Sequence, residues 1–279
     1  MLTRRDFHKA ATAAALSSSV LFAKPNSVIH GVQLGAQSYS YRDRPLDAAI
    51  AGMLENGLSE CELWQGHIEP KTDLPKWRET VSMEEFKKVR QKFDAAGIQL
   101  YAYNYSFRDN FSDKEIARGF EMAEALGVGI LTASSNVTTA RRVDPFAQKA
   151  RIRVGFHNHS NMHDNEFNTP ESFEKALAGG SKYLGINLDI GHFTAAGFDA
   201  PAYLAKHHDR IVTLHLKDRK KNQGDNMPFG QGDTPIKAVL QLLKKHKWKI
   251  PANIEYEYKG ADTIAEMNKC VAFCKAALA

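Results

Sequence analysis

The second half of the chain carries four short apolar runs that each end in charge. Leu184–His192 (LGINLDIGH) is bounded by Gly180 and Gly197 and is too short for a typical buried helix. It predicts a strand covered on both faces, with Asp189 near its C-terminal end. Arg153–Ser160 (RVGFHNHS), Ile211–Asp218 (IVTLHLKD) and Ile250–Tyr258 (IPANIEYEY) repeat the design, each closing on His, Asp, Glu or Lys. Elsewhere strand-like and helix-like stretches alternate. Strands are expected at Gly31–Ser38, Ser59–Trp64, Ile98–Tyr105 and Gly129–Ser134, then at Val154–His159, Gly185–Asp189, Val212–Lys217 and Ile254–Tyr258. Helices are expected at Leu46–Asn56, Ser82–Ala96, Asp113–Leu126 and Thr139–Lys149, then at Pro170–Leu177, Pro201–His208, Pro235–His246 and Thr263–Leu278. Ser82 with Glu85 reads as a capping box, Gly127 as a helix stop, and three of the later helices open on proline.

About eight β–α units at a spacing of about thirty residues match the βαβ period and the size of a (β/α)8 TIM barrel. An open doubly wound sheet is the rival. It wants a glycine-rich turn that opens a helix after the first strand, and Gly31-Val32-Gln33-Leu34-Gly35 opens none. The expectation is therefore an α/β single domain over residues 28–279, with its site built where parallel strands end in polar groups.

Composition adds limits. With 279 residues, 43% hydrophobic and 25% charged, the chain suits one large globular domain. A net charge of +5, from scattered lysines and arginines, argues against a nucleic-acid partner. Cys61, Cys270 and Cys274 form no metal or disulfide framework and are expected reduced. Residues 1–27 differ in kind: Thr3-Arg4-Arg5-Asp6-Phe7-His8-Lys9, followed by the uncharged, alanine-rich Ala10–Ala23, has the layout of an export signal of the twin-arginine type. That predicts a periplasmic protein. The apolar segment is too short to span a bilayer stably.

The chemistry is expected at the strand ends. Side chains alternate along a strand, so His157 and His159 share a face, as do His215 and Lys217, and Glu255 and Glu257. One member of each pair can point into the barrel mouth, and with Asp189 these imidazoles and carboxylates come from four strands. Burying such a cluster without compensation is costly, and a divalent cation removes the cost. Capped or salt-bridged strand ends are the alternative for any one residue.

HNH at 157–159, LDIGH at 188–192, HLKD at 215–218, GQGD at 230–233 and IEYE at 254–257 resemble, in this order and spacing, the xylose isomerase-like TIM barrels known as sugar phosphate isomerases/epimerases. The resemblance covers essentially all of the chain after residue 27. It implies a metal site in which Asp189, His215 and Glu255 are ligands. Where many members have Glu-Asn-His, this chain has His157-Asn158-His159, so the first ligand is an imidazole. Two His with two carboxylates suit Mn, Fe, Co or Zn over Mg. The change also removes one base, because ketose epimerisation in the family uses two glutamates on opposite faces of an enediolate. Glu62, at the end of the second expected strand, is the candidate to replace it from another direction, with a strand-end surface charge as the alternative.

Other candidates follow. His192 fits acid/base work or a substrate hydroxyl, and Lys217 fits a carbonyl or anionic oxygen unless it forms a structural pair with Asp218. His159 and Asn158 fit substrate contact or orientation of the first ligand; Glu257, Trp64 and Asn104 fit substrate contact. The loop Arg219–Asp233 is long enough for a lid, or is a mobile surface loop. The sequence thus points to a carbohydrate isomerase or epimerase with one divalent metal at His157, Asp189, His215 and Glu255. Glu255, Glu62, His192 and Lys217 are the expected catalytic groups. A 3-keto-glycoside lyase or dehydratase needing one base is the first alternative. A phosphodiesterase like the endonuclease IV group, or a sugar-binding barrel without enzymatic activity, are the others. The oligomeric state is left open.

Overall fold

The computed structural model describes residues 25–279. Eight strands form its centre: β1 Val32–Gln37, β2 Glu60–Trp64, β3 Gln99–Asn104, β4 Ile130–Ala133, β5 Arg153–His157, β6 Leu184–Asp189, β7 Ile211–Leu216 and β8 Ala252–Ile254. Each pairs in parallel with the next, and β8 returns to β1 through Ala252↔Leu34, Asn253↔Gly35 and Ile254↔Ala36. The sheet is therefore a closed (β/α)8 barrel, and closure leaves these eight strands no unpaired edge. Strand β6 is buried at every residue, as its unbroken apolar sequence requires.

The helices lie outside, packing aromatic and aliphatic side chains such as Phe86, Phe93, Phe120 and Phe173 against the strands. Their ends follow local chemistry. The expected capping box at Ser82 does not form: the Ser82 hydroxyl accepts from the Glu84 amide, and Glu85 instead pairs with Lys88 at 2.8 Å. Complete capping boxes occur at Ser112/Glu115 and Thr169/Ser172. Gly127 has the positive φ of 65° expected of a helix stop. Pro170 opens its helix; Pro201 follows Ala200, and Pro235 is the residue before Ile236. Two short helices, Leu74–Thr80 and Ile190–Ala195, were not expected.

The barrel lumen is polar. Glu62 on β2 meets Asn187 on β6 and His215 on β7, strands that are not its neighbours, so these side chains cross the lumen. At its floor Glu60 and Asn253 lie over Gly35, where any Cβ would sit 1.8 Å from Glu60 Oε2. Ser27 is buried there too, donating to the Leu34 carbonyl.

The expected export segment falls outside the described residues apart from Pro25–Ser27. Among the described residues no helix is long and apolar enough to cross a membrane. Cys61, Cys270 and Cys274 are buried and unpaired.

Candidate metal centre and active-site cavity

A cavity of about 600 Å³ opens at the C-terminal ends of the strands. His157, His159, His192, His215, Lys217, Glu255, Glu257, Trp64 and Asn104 line it, as their strand-end positions predict. Below them Asp189 is completely buried. Its backbone is clamped by Asn158, which donates to the Asp189 carbonyl and accepts from the Asp189 amide, both at 3.0 Å. Asn158 therefore does not face the cavity, and the expected substrate contact is corrected: its amide is spent on tying β5 to β6. Asp189 also caps the short helix Ile190–Ala195 through the His192 amide.

Among the buried side-chain atoms that make no hydrogen bond are His157 Nε2, Asp189 Oδ2, His215 Nδ1 and Glu255 Oε2. One donor atom from each of these residues lies within 4.8 Å of the others. His157 Nε2 is 3.5 Å from Asp189 Oδ2, and His215 Nδ1 is 3.2 Å from Glu255 Oε2. The opposite nitrogen of each ring is already held, His157 Nδ1 by Ser134 and His215 Nε2 by Glu62. A metal-ligating histidine fixed through its far nitrogen has this arrangement, and two imidazoles with two carboxylates are a donor set for Mn, Fe, Co or Zn. The residues fit a divalent cation.

The position of Glu62 corrects the expectation that it acts as a base. It is fully buried and does not line the cavity. One oxygen accepts from Gln37 at 2.7 Å and Thr132 at 2.6 Å; the other faces His215 Nε2 at 2.9 Å. It lies one layer beneath the cavity and orients His215.

Charge is dense at this point. Lys217 Nζ lies 3.1 Å from Asp189 Oδ2, 2.9 Å from Glu255 Oε2 and 2.5 Å from Glu257 Oε2. It makes no pair with Asp218, whose carboxylate instead accepts from the amides of Gly230, Gly232 and Thr234. The loop after β7 is thus tied down around Asp218, with a small ribbon between Asp218–Arg219 and Asn226–Met227. Burial alone pushes the Asp189 and Glu255 carboxyls up, but Lys217 reverses this, aided by His192 and His157 at Asp189 and by His215 at Glu255, and holds both well below the usual range. Burial lowers His215, and Glu62 with Glu255 overrides it to push the ring well above its ordinary value. Burial together with Lys217 depresses His192, and burial with His157 and Lys217 lowers His159 to about 3. Both of these histidines are neutral near pH 7.

Sequence reasoning missed several groups. Gln37, Tyr39, Gln65, Arg78, Ser106, Arg108, Asn110, Phe111 and Ser134 also line the cavity, and Arg219 donates to His192 Nδ1 at 2.8 Å. Gln37 stands next to the end of an expected strand and Ser134 ends another, and the same strand-end rule finds them. Arg108 and Asn110 lie in a connection with no such signal.

Known proteins agree with this architecture. L-ribulose-5-phosphate 3-epimerase UlaE of Escherichia coli is 26% identical over 174 residues, which are 58% of this chain and 59% of UlaE. The match therefore spans less than two thirds of that relative. An uncharacterized protein of known structure from Parabacteroides distasonis is 25% identical, with a TM-score of 0.64 over 87% of this chain and 98% of that one. The IolI protein, solved with a zinc atom, shares the fold at 16% identity, with a TM-score of 0.69 over 88% of this chain and 98% of IolI. The model of the xylose isomerase-like TIM barrel family matches residues 55–275, the greater part of the barrel and the whole cluster of histidines and carboxylates, and the chain belongs to that family.

Proposed function

We propose that the protein is a metal-dependent carbohydrate isomerase that moves a proton beside the carbonyl of a sugar or keto-sugar. The observation that carries this is the convergence of four hydrogen-bond-free donor atoms on one point at the base of a cavity lined by further acid/base groups. A relative active on a phosphorylated ketose supports a carbohydrate as the substrate class.

His157, Asp189, His215 and Glu255 would hold the cation. When bound, it supplies Lewis acidity toward neighbouring carbonyl and hydroxyl oxygens, which makes the adjacent C–H easier to deprotonate. The chain's own residues do the rest. Glu255 and Glu257 are the carboxylates that reach the cavity, two residues apart at the end of one strand. A carboxylate there takes the proton and returns it to the neighbouring carbon. Lys217 and His192 stand beside it to steady oxygen atoms that gain charge. Trp64 and Tyr39, edge to face at 5.0 Å, give the neighbouring wall, at the ends of β2 and β1, an aromatic surface for the sugar ring.

The burial of Glu62 favours a second reading. With the cavity carboxylates on one strand end, the described residues place no second glutamate on the far face, which two-face epimerisation needs. One-base elimination from a 3-keto-glycoside does not need it. We further propose that the protein works after export, as the paired arginines Arg4 and Arg5 suggest.

The test is to incubate purified protein with keto-sugars and 3-keto-glycosides in deuterated water. Deuterium entering recovered substrate or product beside the carbonyl is expected, lost on chelation and in Asp189→Ala. Reaction at full rate in Asp189→Ala, or a wild-type chain that holds no metal, would refute the reading.

A further inference from the structure

Two oxygens of the candidate donor set also face a lysine. Asp189 Oδ2 and Glu255 Oε2 are buried, lack a hydrogen bond and belong to residues of the candidate donor set. Both also stand in ion-pair range of Lys217 Nζ, at 3.1 and 2.9 Å. Lys217 is 2% exposed, and its backbone is wedged against the short helix that follows Asp189: a Cβ at Gly191 would lie 2.6 Å from the Lys217 carbonyl oxygen. Its root is thus fixed while its ammonium has a third partner, Glu257, whose side chain is 23% exposed toward the cavity.

Two consequences follow. Asp189 and Glu255 lie side by side in the interior, and buried carboxylates without a countercharge are costly, so the ammonium lets the barrel close around them. The same fixed charge opposes any dication on those oxygens, because like charges a few ångströms apart repel strongly where water is excluded. We propose that Lys217 is a tethered counter-cation that shares Asp189 and Glu255 with the metal. It weakens the metal's hold so that only strong binders occupy the site, and it shifts toward Glu257 and the cavity as the metal is taken up. There the ammonium meets an anionic oxygen of the substrate. This inference rests on the metal site proposed above.

The experiment compares full-length wild-type protein with Lys217→Met, which keeps the stem and removes the charge, and with Lys217→Arg, which keeps the charge. Mn2+ and Zn2+ affinities are measured by competition with a chelator, and melting temperatures with and without each ion. Lys217→Met should bind Mn2+ at least tenfold more tightly than wild type. It should melt lower than wild type in chelator, and gain more than wild type on loading; Lys217→Arg should stay near wild type. Equal or weaker metal binding by Lys217→Met overturns the proposal while leaving the metal site itself standing. A wild-type chain that binds neither ion overturns both. Should Lys217→Met fail to fold, wild-type protein decides: acetylation of Lys217, followed by peptide mass spectrometry, should rise on Zn2+ loading relative to the other lysines. Unchanged labelling overturns the proposal.

Discussion

His215 faces a carboxylate at each ring nitrogen, and the nitrogen toward Glu62 makes a clear prediction for the proposed metal site. Glu62 faces Nε2 at 2.9 Å and is itself held by Gln37 and Thr132. A carboxylate there fixes the tautomer and makes the opposite nitrogen a stronger donor. Glu62→Gln is nearly isosteric and should fold, yet lose roughly 10–100-fold in metal affinity, read by chelator competition; an unchanged affinity would contradict this role. The depth of Glu62 in the barrel is also a matter of the single residue. Period-two alternation tells which face of a strand a side chain takes, but not how far along the barrel axis it stands, and one residue is about 3.3 Å of rise. Glu62 is central in β2, with Trp64 above it, whereas Glu255 comes just after β8 ends. Asn158 turns to the Asp189 backbone rather than to the cavity for a related reason: it follows the last residue of β5, where alternation no longer applies.

At the level of elements, the strands were legible because each is a short apolar run with punctuation on either side. Their ends were less so. The expected strand Ile254–Tyr258 is observed as Ala252–Ile254, because Tyr256 and Tyr258 mimic strand alternation while packing as buried loop residues. The connection after β7 was legible only as a long loop. What orders it is one carboxylate, Asp218, reaching amides 12 to 16 residues onward, and contacts at such separation leave no local pattern. Asp218→Ala removes three charge-assisted hydrogen bonds and should cost roughly 3 kcal/mol of stability. The loop 219–233 should then become the first site of limited proteolysis. A loop as resistant as in wild type would show that the ribbon at Asn226–Met227 suffices to hold it.

For the whole molecule, the strand–helix period carried most of the information: a repeat near thirty residues leaves little choice but a barrel of this size. The register that closes it was invisible, because β8 meets β1 across more than two hundred residues of chain. Localisation is a property of the whole chain as well. Replacing Arg4→Lys together with Arg5→Lys should leave the precursor in the cytoplasm, followed by cell fractionation; unchanged export by the same route would remove the proposal.

Closure of the barrel between its first and last strands also sets a timetable. The four candidate donors are made in the order His157, Asp189, His215 and Glu255, and the last lies just beyond the strand that seals the ring. A nascent chain halted before Ala252 has three of them, in a sheet still open along β1 and β7. The candidate donor set is therefore complete only when synthesis is nearly over. Any ion held there would have to enter after nearly the whole chain has been made.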